Sequence, residues 1–191
     1  MRIKRNRKNM LTKRIEDALK IFVPRKESEI IREQDRIAFI EKFPLERIKD
    51  LELDEFVAGG GNRNSFCYWL EFKDILFGIG GGNASKFGIY KSNEKEGYFS
   101  SASNNSEVLS EEELPKYFNK LKAEISLALD LANQGRIHEI ENLKTTSIWN
   151  IVLLKILTIY YPDKFLHIGS LDTLLNVITD FKLNNLISID E

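Results

Sequence analysis

Phe66-Cys67-Tyr68-Trp69-Leu70-Glu71-Phe72-Lys73-Asp74-Ile75-Leu76-Phe77 is the stretch on which the fold class turns. Its aromatic density suits a strand, yet Phe66, Leu70, Lys73 and Phe77, with Trp69, share one stripe at helical spacing. A dozen residues between a capping Asn64 or Ser65 and the glycines that begin at Gly78 is long for a strand, so helix is the preferred reading. That choice makes the chain an α+β domain, helix-rich, with a small central β-sheet or hairpin.

On the C-terminal side, Lys86 to Lys91 reads as a strand and Tyr98-Phe99 as its hairpin partner across the polar residues 92–97. Further extended pieces are expected near Ile168 and Ile187. Ser110-Glu111-Glu112-Glu113 opens a long helix, with acids at the positive end of its dipole, and Gly135 stops it. A short helix over 136–143 follows. Thr146 or Ser147 is expected to cap an apolar helix from Ile148 to Tyr160, and Ser170 a last helix to about Lys182.

On the N-terminal side, Gly59-Gly60-Gly61-Asn62-Arg63-Asn64 reads as a flexible break and a candidate boundary between segments. Before it, helical spacing runs from Arg5 to Val23, stopped by Pro24, and again from Ser28 to Lys42. Pro44 suits the first turn of a short helix.

The 28 basic and 29 acidic residues nearly cancel, but they are unevenly placed. Residues 1–26 hold ten basic and two acidic side chains, a local charge of +8, and 27–191 carry 18 basic and 27 acidic, or −9. A basic arm on an acidic body fits a polyanion-binding extension, in which each cation that neutralises a phosphate releases counterions. Arg5, Arg7, Lys8, Lys13 and Arg14 are its expected DNA contacts.

Other classes of activity fare less well. The longest apolar run, Ile148 to Tyr161, is interrupted by Asn150 and Lys155, which argues against a membrane span. No apolar stretch backs the basic start, so a secretory leader is not expected. Cys67 is the only cysteine, which excludes an internal disulfide and a multi-cysteine zinc site, and a cytoplasmic location is expected. Lys86 lies between Ser85 and Phe87, unlike a P-loop lysine, and Asn83 stands where a dinucleotide fingerprint needs its third glycine. No cofactor is expected. His138 and His167 lack companions at ligand spacing, and no metal site is expected.

Two local patterns remain. Asp54, Glu71 and Lys73 match the residue types of a metal-dependent nuclease, but on a helix Glu71 and Lys73 point about 200° apart and cannot share a cation. Tyr68, Trp69, Phe87, Tyr90, Tyr98 and Phe99 interleave with Lys86, Lys91 and Lys95, a mixture able to stack on bases and track phosphates. Lys86, Tyr90 and Lys91 are the surface candidates. Gly81, Gly82, Asn83 and Ser85 would offer backbone and hydroxyl donors to a DNA phosphate, or simply form a tight turn.

The segment Phe66-Cys67-Tyr68-Trp69-Leu70-Glu71, followed by Gly78-Ile79-Gly80-Gly81-Gly82-Asn83-Ala84-Ser85-Lys86-Phe87-Gly88-Ile89-Tyr90, resembles the N-terminal domain found ahead of McrB-type AAA+ restriction motors and in related phage-defence proteins. Leu154-Lys155-Ile156-Leu157 and Tyr160-Tyr161-Pro162-Asp163-Lys164-Phe165-Leu166-His167-Ile168 resemble the same domain's C-terminal half. The likeness implies a DNA-targeting module without catalysis of its own, partnered by a separate motor or nuclease subunit. The expected organisation is a basic N-terminal arm, residues 1–26, and an α+β recognition domain, residues 27–191. Two other readings stay open, a protein-assembly domain and a small metal nuclease.

Overall fold

The computed structural model describes residues 13, 16–17, 20–21, 23, 26–72, 84–92, 95–100, 108–143, 145, 147–166, 168 and 171–180. They belong to two compact units, Ile30–His167 and a second that joins Met1–Glu29 to Ile168–Glu191.

The deciding stretch is helical over its first part. Phe66–Phe72 (α3) buries Phe66, Cys67 and Leu70, the i, i+1 and i+4 positions of one face. Ser65 caps it, its Oγ accepting the Tyr68 N–H at 3.2 Å. Lys73 to Phe77 lie outside the described residues.

Phe66 is the hub of an aromatic core. Its ring centroid lies 5.3 Å from Phe39, near the end of α1 (Lys26–Lys42), and from Phe43, which directly follows it, and 5.5 Å from Phe56 of the short α2 (Leu53–Phe56). Pro44 precedes a 3-10 helix, Leu45–Asp50, whose Ile48 is buried. Such offset and edge-on ring contacts add to the burial of large apolar area.

Two longer helices close this core. In α4 (Glu113–Asn133) the buried Phe118, Leu121, Ile125, Ala128, Leu129 and Ala132 recur at spacings of three and four. Ser110 and Glu113 exchange hydrogen bonds across the first turn: the Glu113 N–H donates to Ser110 Oγ at 3.2 Å and the Ser110 N–H to Glu113 Oε2 at 3.0 Å. At the other end Gly135 takes φ 73°, and the Arg136 and Gly135 N–H groups return to the Leu131 and Ala132 carbonyls at 2.9 and 3.1 Å. That is the paired closure of a helix by a left-handed glycine. The short α5 (Ile137–Glu141) follows, and then α6 (Asn150–Tyr160), which buries Val152, Leu153, Ile156, Leu157 and Ile159. Ser147 does not cap α6, contrary to expectation. It is buried, with its N–H and hydroxyl bonded to the Glu124 carboxylate on α4 at 3.1 and 3.3 Å.

Among the described residues the sheet is one antiparallel hairpin, β1 (Ile89–Lys91) with β2 (Tyr98–Ser100), in the register Ile89–Ser100, Tyr90–Phe99, Lys91–Tyr98. Lys86 and Phe87, expected to open the strand, lie instead in a 3-10 turn, Ala84–Phe87, closed by the Gly88 N–H on the Ser85 carbonyl at 2.9 Å. Ile168 lies in no strand, and Ile187 falls outside the described residues.

In the second unit, Lys13, Glu16, Asp17, Lys20 and Ile21 are helical, in keeping with the spacing that predicts a helix there, and α7 spans Leu171–Asp180. Among the described residues no helix is long and apolar enough to cross a membrane.

Candidate nucleic-acid interface

The Gly59–Asn64 segment is a fastened turn, not a break between domains. Gly59, Gly60 and Gly61 take φ of 107°, 59° and 79°, values that side-chain-bearing residues rarely adopt. An added Cβ at Gly59 would overlap the Lys91 carbonyl oxygen, so the turn presses directly on β1. Asn62 pins it from within: its Nδ2 donates to the Asp54 carbonyl at 2.6 Å, and its Oδ1 accepts the Asn64 N–H at 2.9 Å. The Lys91 N–H donates to the Ala58 carbonyl at 3.2 Å, which makes this segment a neighbour of the hairpin. The turn lies inside the Ile30–His167 unit.

Lys91 stands on the hairpin beside that turn. Its Nζ is 2.9 Å from Asp54 Oδ1 and 4.7 Å from the Tyr98 ring centroid, and Tyr98 donates its hydroxyl to the same Asp54 oxygen at 2.7 Å. The two donors hold the Asp54 carboxyl below its ordinary range, the Lys91 hydrogen bond most. Hydrogen bonds to Tyr98 and Asp54 raise Lys91 above its own. Both ions remain charged at neutral pH. Lys91 keeps about a third of its side chain in solvent and Asp54 about three quarters, so the pair is a local tether, not a large source of stability. Tyr90 is half-buried, its ring stacked on Phe99 with centroids 5.6 Å apart.

Lys86 is not a surface residue. Its side chain is 2% exposed and its Nζ sits 2.6 Å from Glu71 Oε1, which takes it out of reach of a phosphate. The cause lies in the chain's local shape: the 3-10 turn points Lys86 inward towards α3, and the Lys86 carbonyl accepts the Trp149 N–H at 3.2 Å just before α6. A second buried lysine, Lys155 of α6, is 1% exposed and hydrogen-bonded to the Leu70 carbonyl. Burial pulls its pKa down to about 8, opposed by Glu71 and reinforced by the like charge of Lys86. The Leu70 partner lies 85 residues away and cannot be read locally; the signal present in the sequence is a lysine set within the apolar run from Ile148 to Tyr161.

The remaining expectations divide simply. Lys13 is helical and exposed; Arg5, Arg7, Lys8, Arg14, Gly81, Gly82, Asn83, Lys73 and His167 lie outside the described residues. Ser85 is half-buried, and its carbonyl closes the turn at Gly88. Asp54 and Glu71 are each committed to a different lysine, and among the described residues no group of three or more His, Cys, Asp or Glu is placed to hold a metal. His138 is exposed on α5, and Cys67 is buried, with burial pushing its thiol pKa up. Arg63 was not among the expected contacts. It is exposed at the end of the fastened turn, and its signal was present in the sequence as a cation soon after three glycines.

These elements define a helix-rich α+β protein with a single hairpin among its described residues. A scan of protein-family models, a search of curated proteins and a search of solved structures each match nothing.

Proposed function

We propose that this chain is a non-catalytic DNA-recognition module of a restriction or phage-defence system, working with a separate motor or nuclease subunit. The observation that carries the reading is the charge of +8 over residues 1–26, of which Lys13 and Lys20 are described and exposed. Arg5, Arg7, Lys8, Lys13 and Arg14 anchor phosphates, and this binding is blind to base sequence. In the Ile30–His167 unit the contacts are Lys91, expected as one, and Arg63 beside the fastened turn, and not the buried Lys86.

Salt-titrated anisotropy with a plain and a modified DNA duplex tests this. The logarithm of affinity falls linearly with the logarithm of salt, and Lys13→Glu with Arg14→Glu flattens that slope by about 0.9 for each phosphate no longer neutralised. Lys86→Ala leaves the slope unchanged. Affinity no better than that of an unrelated acidic protein overturns the reading.

A second reading, a protein-assembly domain, is favoured by a different observation. Leu127 on α4 and Leu175 on α7 are 48% and 37% exposed, and Lys86, one of the cations expected to make the hairpin surface positive, is buried. Retention of a motor subunit by a chain that binds no DNA would select it.

A further inference from the structure

The helix α1 has two faces of opposite character. Phe39 and Phe43 are buried in the aromatic core at one side, and Arg36 donates from that side to the Ile159 carbonyl at 3.0 Å. Ile30 and Ile37, seven residues and therefore only about 20° apart around the helix, lie on the other side. They are 57% and 44% exposed, and Ile31 beside them is 47% exposed. Glu27 and Glu41 flank the stripe and are exposed, while Glu33, also at its border, is already paired with Arg36 at 2.6 Å. Uncovered aliphatic residues in a row mark a contact surface, and an acidic border selects a cationic partner.

The same chain contains a segment of matching chemistry. Residues 5–23 alternate Arg5, Arg7, Lys8, Lys13, Arg14 and Lys20 with apolar positions at helical spacing, and the described Ile21 and Val23 are each 82% exposed. We propose that the outer face of α1 docks this cationic amphipathic segment from a second copy, so that two copies exchange their N-terminal segments. Exchange is the physically favoured form of the contact. One helix laid on one helix covers little area for a stable complex, whereas a two-fold exchange makes the contact twice. The inference goes beyond DNA recognition and does not depend on it, although both would use the same cations.

Sedimentation of the full chain without nucleic acid, from micromolar to millimolar concentration and at low and high salt, tests it. The expected result is a dimer that weakens as salt rises. Ile37→Glu, and the milder Ile30→Ser, weaken it at least tenfold while the thermal unfolding curve stays in place. A complementation experiment fixes the geometry. Ile37→Glu has a spoiled face and an intact segment; Lys8→Glu with Lys13→Glu and Arg14→Glu has the reverse. Each variant alone is monomeric, and the mixture, held by one exchanged segment, forms heterodimers that are weaker than the wild-type dimer and populated at the top of the concentration range. A wild-type chain that stays monomeric throughout, a dimer indifferent to Ile37→Glu, or a mixture that pairs no better than either variant alone up to millimolar concentration overturns the proposal. The DNA-recognition reading is judged apart from these results, by the salt titration of the wild-type chain with a duplex, so that the failure of one does not imply the failure of the other.

Discussion

Glu71 shows how one residue changes meaning between sequence and structure. By type it suits a metal ligand; in place it is the counter-charge of Lys86, 2.6 Å away, and the attraction that keeps Lys155 from losing its proton still more readily. A buried cation whose partner is removed keeps its desolvation cost without the compensating attraction. Glu71→Gln therefore destabilises the Ile30–His167 unit by about 3 kcal/mol in chemical denaturation. It also lowers the Lys155 pKa further. Lys86→Met combined with Glu71→Gln recovers much of the loss, because the ion pair is then removed whole. A Glu71→Gln chain as stable as the wild type would show that the carboxylate does not compensate the buried lysines.

At the scale of elements, the helix ends were the legible part. The acids after Ser110 and the glycine at 135 mark both ends of α4, because capping is local chemistry written within four or five residues. Gly135 has no atom within 4 Å of an added Cβ, so its role is conformational alone. Gly135→Ala accordingly costs about 1 kcal/mol in thermal unfolding and Gly135→Asn less, since asparagine tolerates the left-handed region. Equal losses for the two variants would point instead to a packing role. What sequence could not reach is tertiary. Ser147 has the right chemistry to cap α6, but Glu124, 23 residues away, competes for it. The turn at Gly59 looks like a hinge until β1 is seen to lie against it. The inward turn of Lys86 depends on where α3 and α6 pass, which no window of neighbouring residues encodes.

For the whole Ile30–His167 unit, the buried Lys155 shapes how stability responds to alkali. Lys155 has its pKa pulled to about 8 in the folded chain, below the ordinary lysine value that the unfolded chain regains. Below about pH 8 both states carry the proton, so the burial penalty is present in full and does not vary with pH. Between that point and the ordinary lysine value, the unfolded chain binds more protons than the folded one, and stability must rise with pH. One such group contributes up to about 1.4 kcal/mol per pH unit over this window. Tyr98 and Tyr161 are raised by burial above the ordinary tyrosine value, which places their own titration later. Lys155→Met removes the titrating group while keeping an unbranched side chain of similar length, and its loss of the Leu70 hydrogen bond shifts stability equally at every pH. Denaturation midpoints for the two chains from pH 7 to pH 10 are therefore expected to differ in slope: the wild type gains relative to Lys155→Met above about pH 8 and runs parallel to it below. Parallel curves over the whole range would mean that Lys155 stays protonated in the fold, with its charge balanced more fully by Glu71 than its burial indicates.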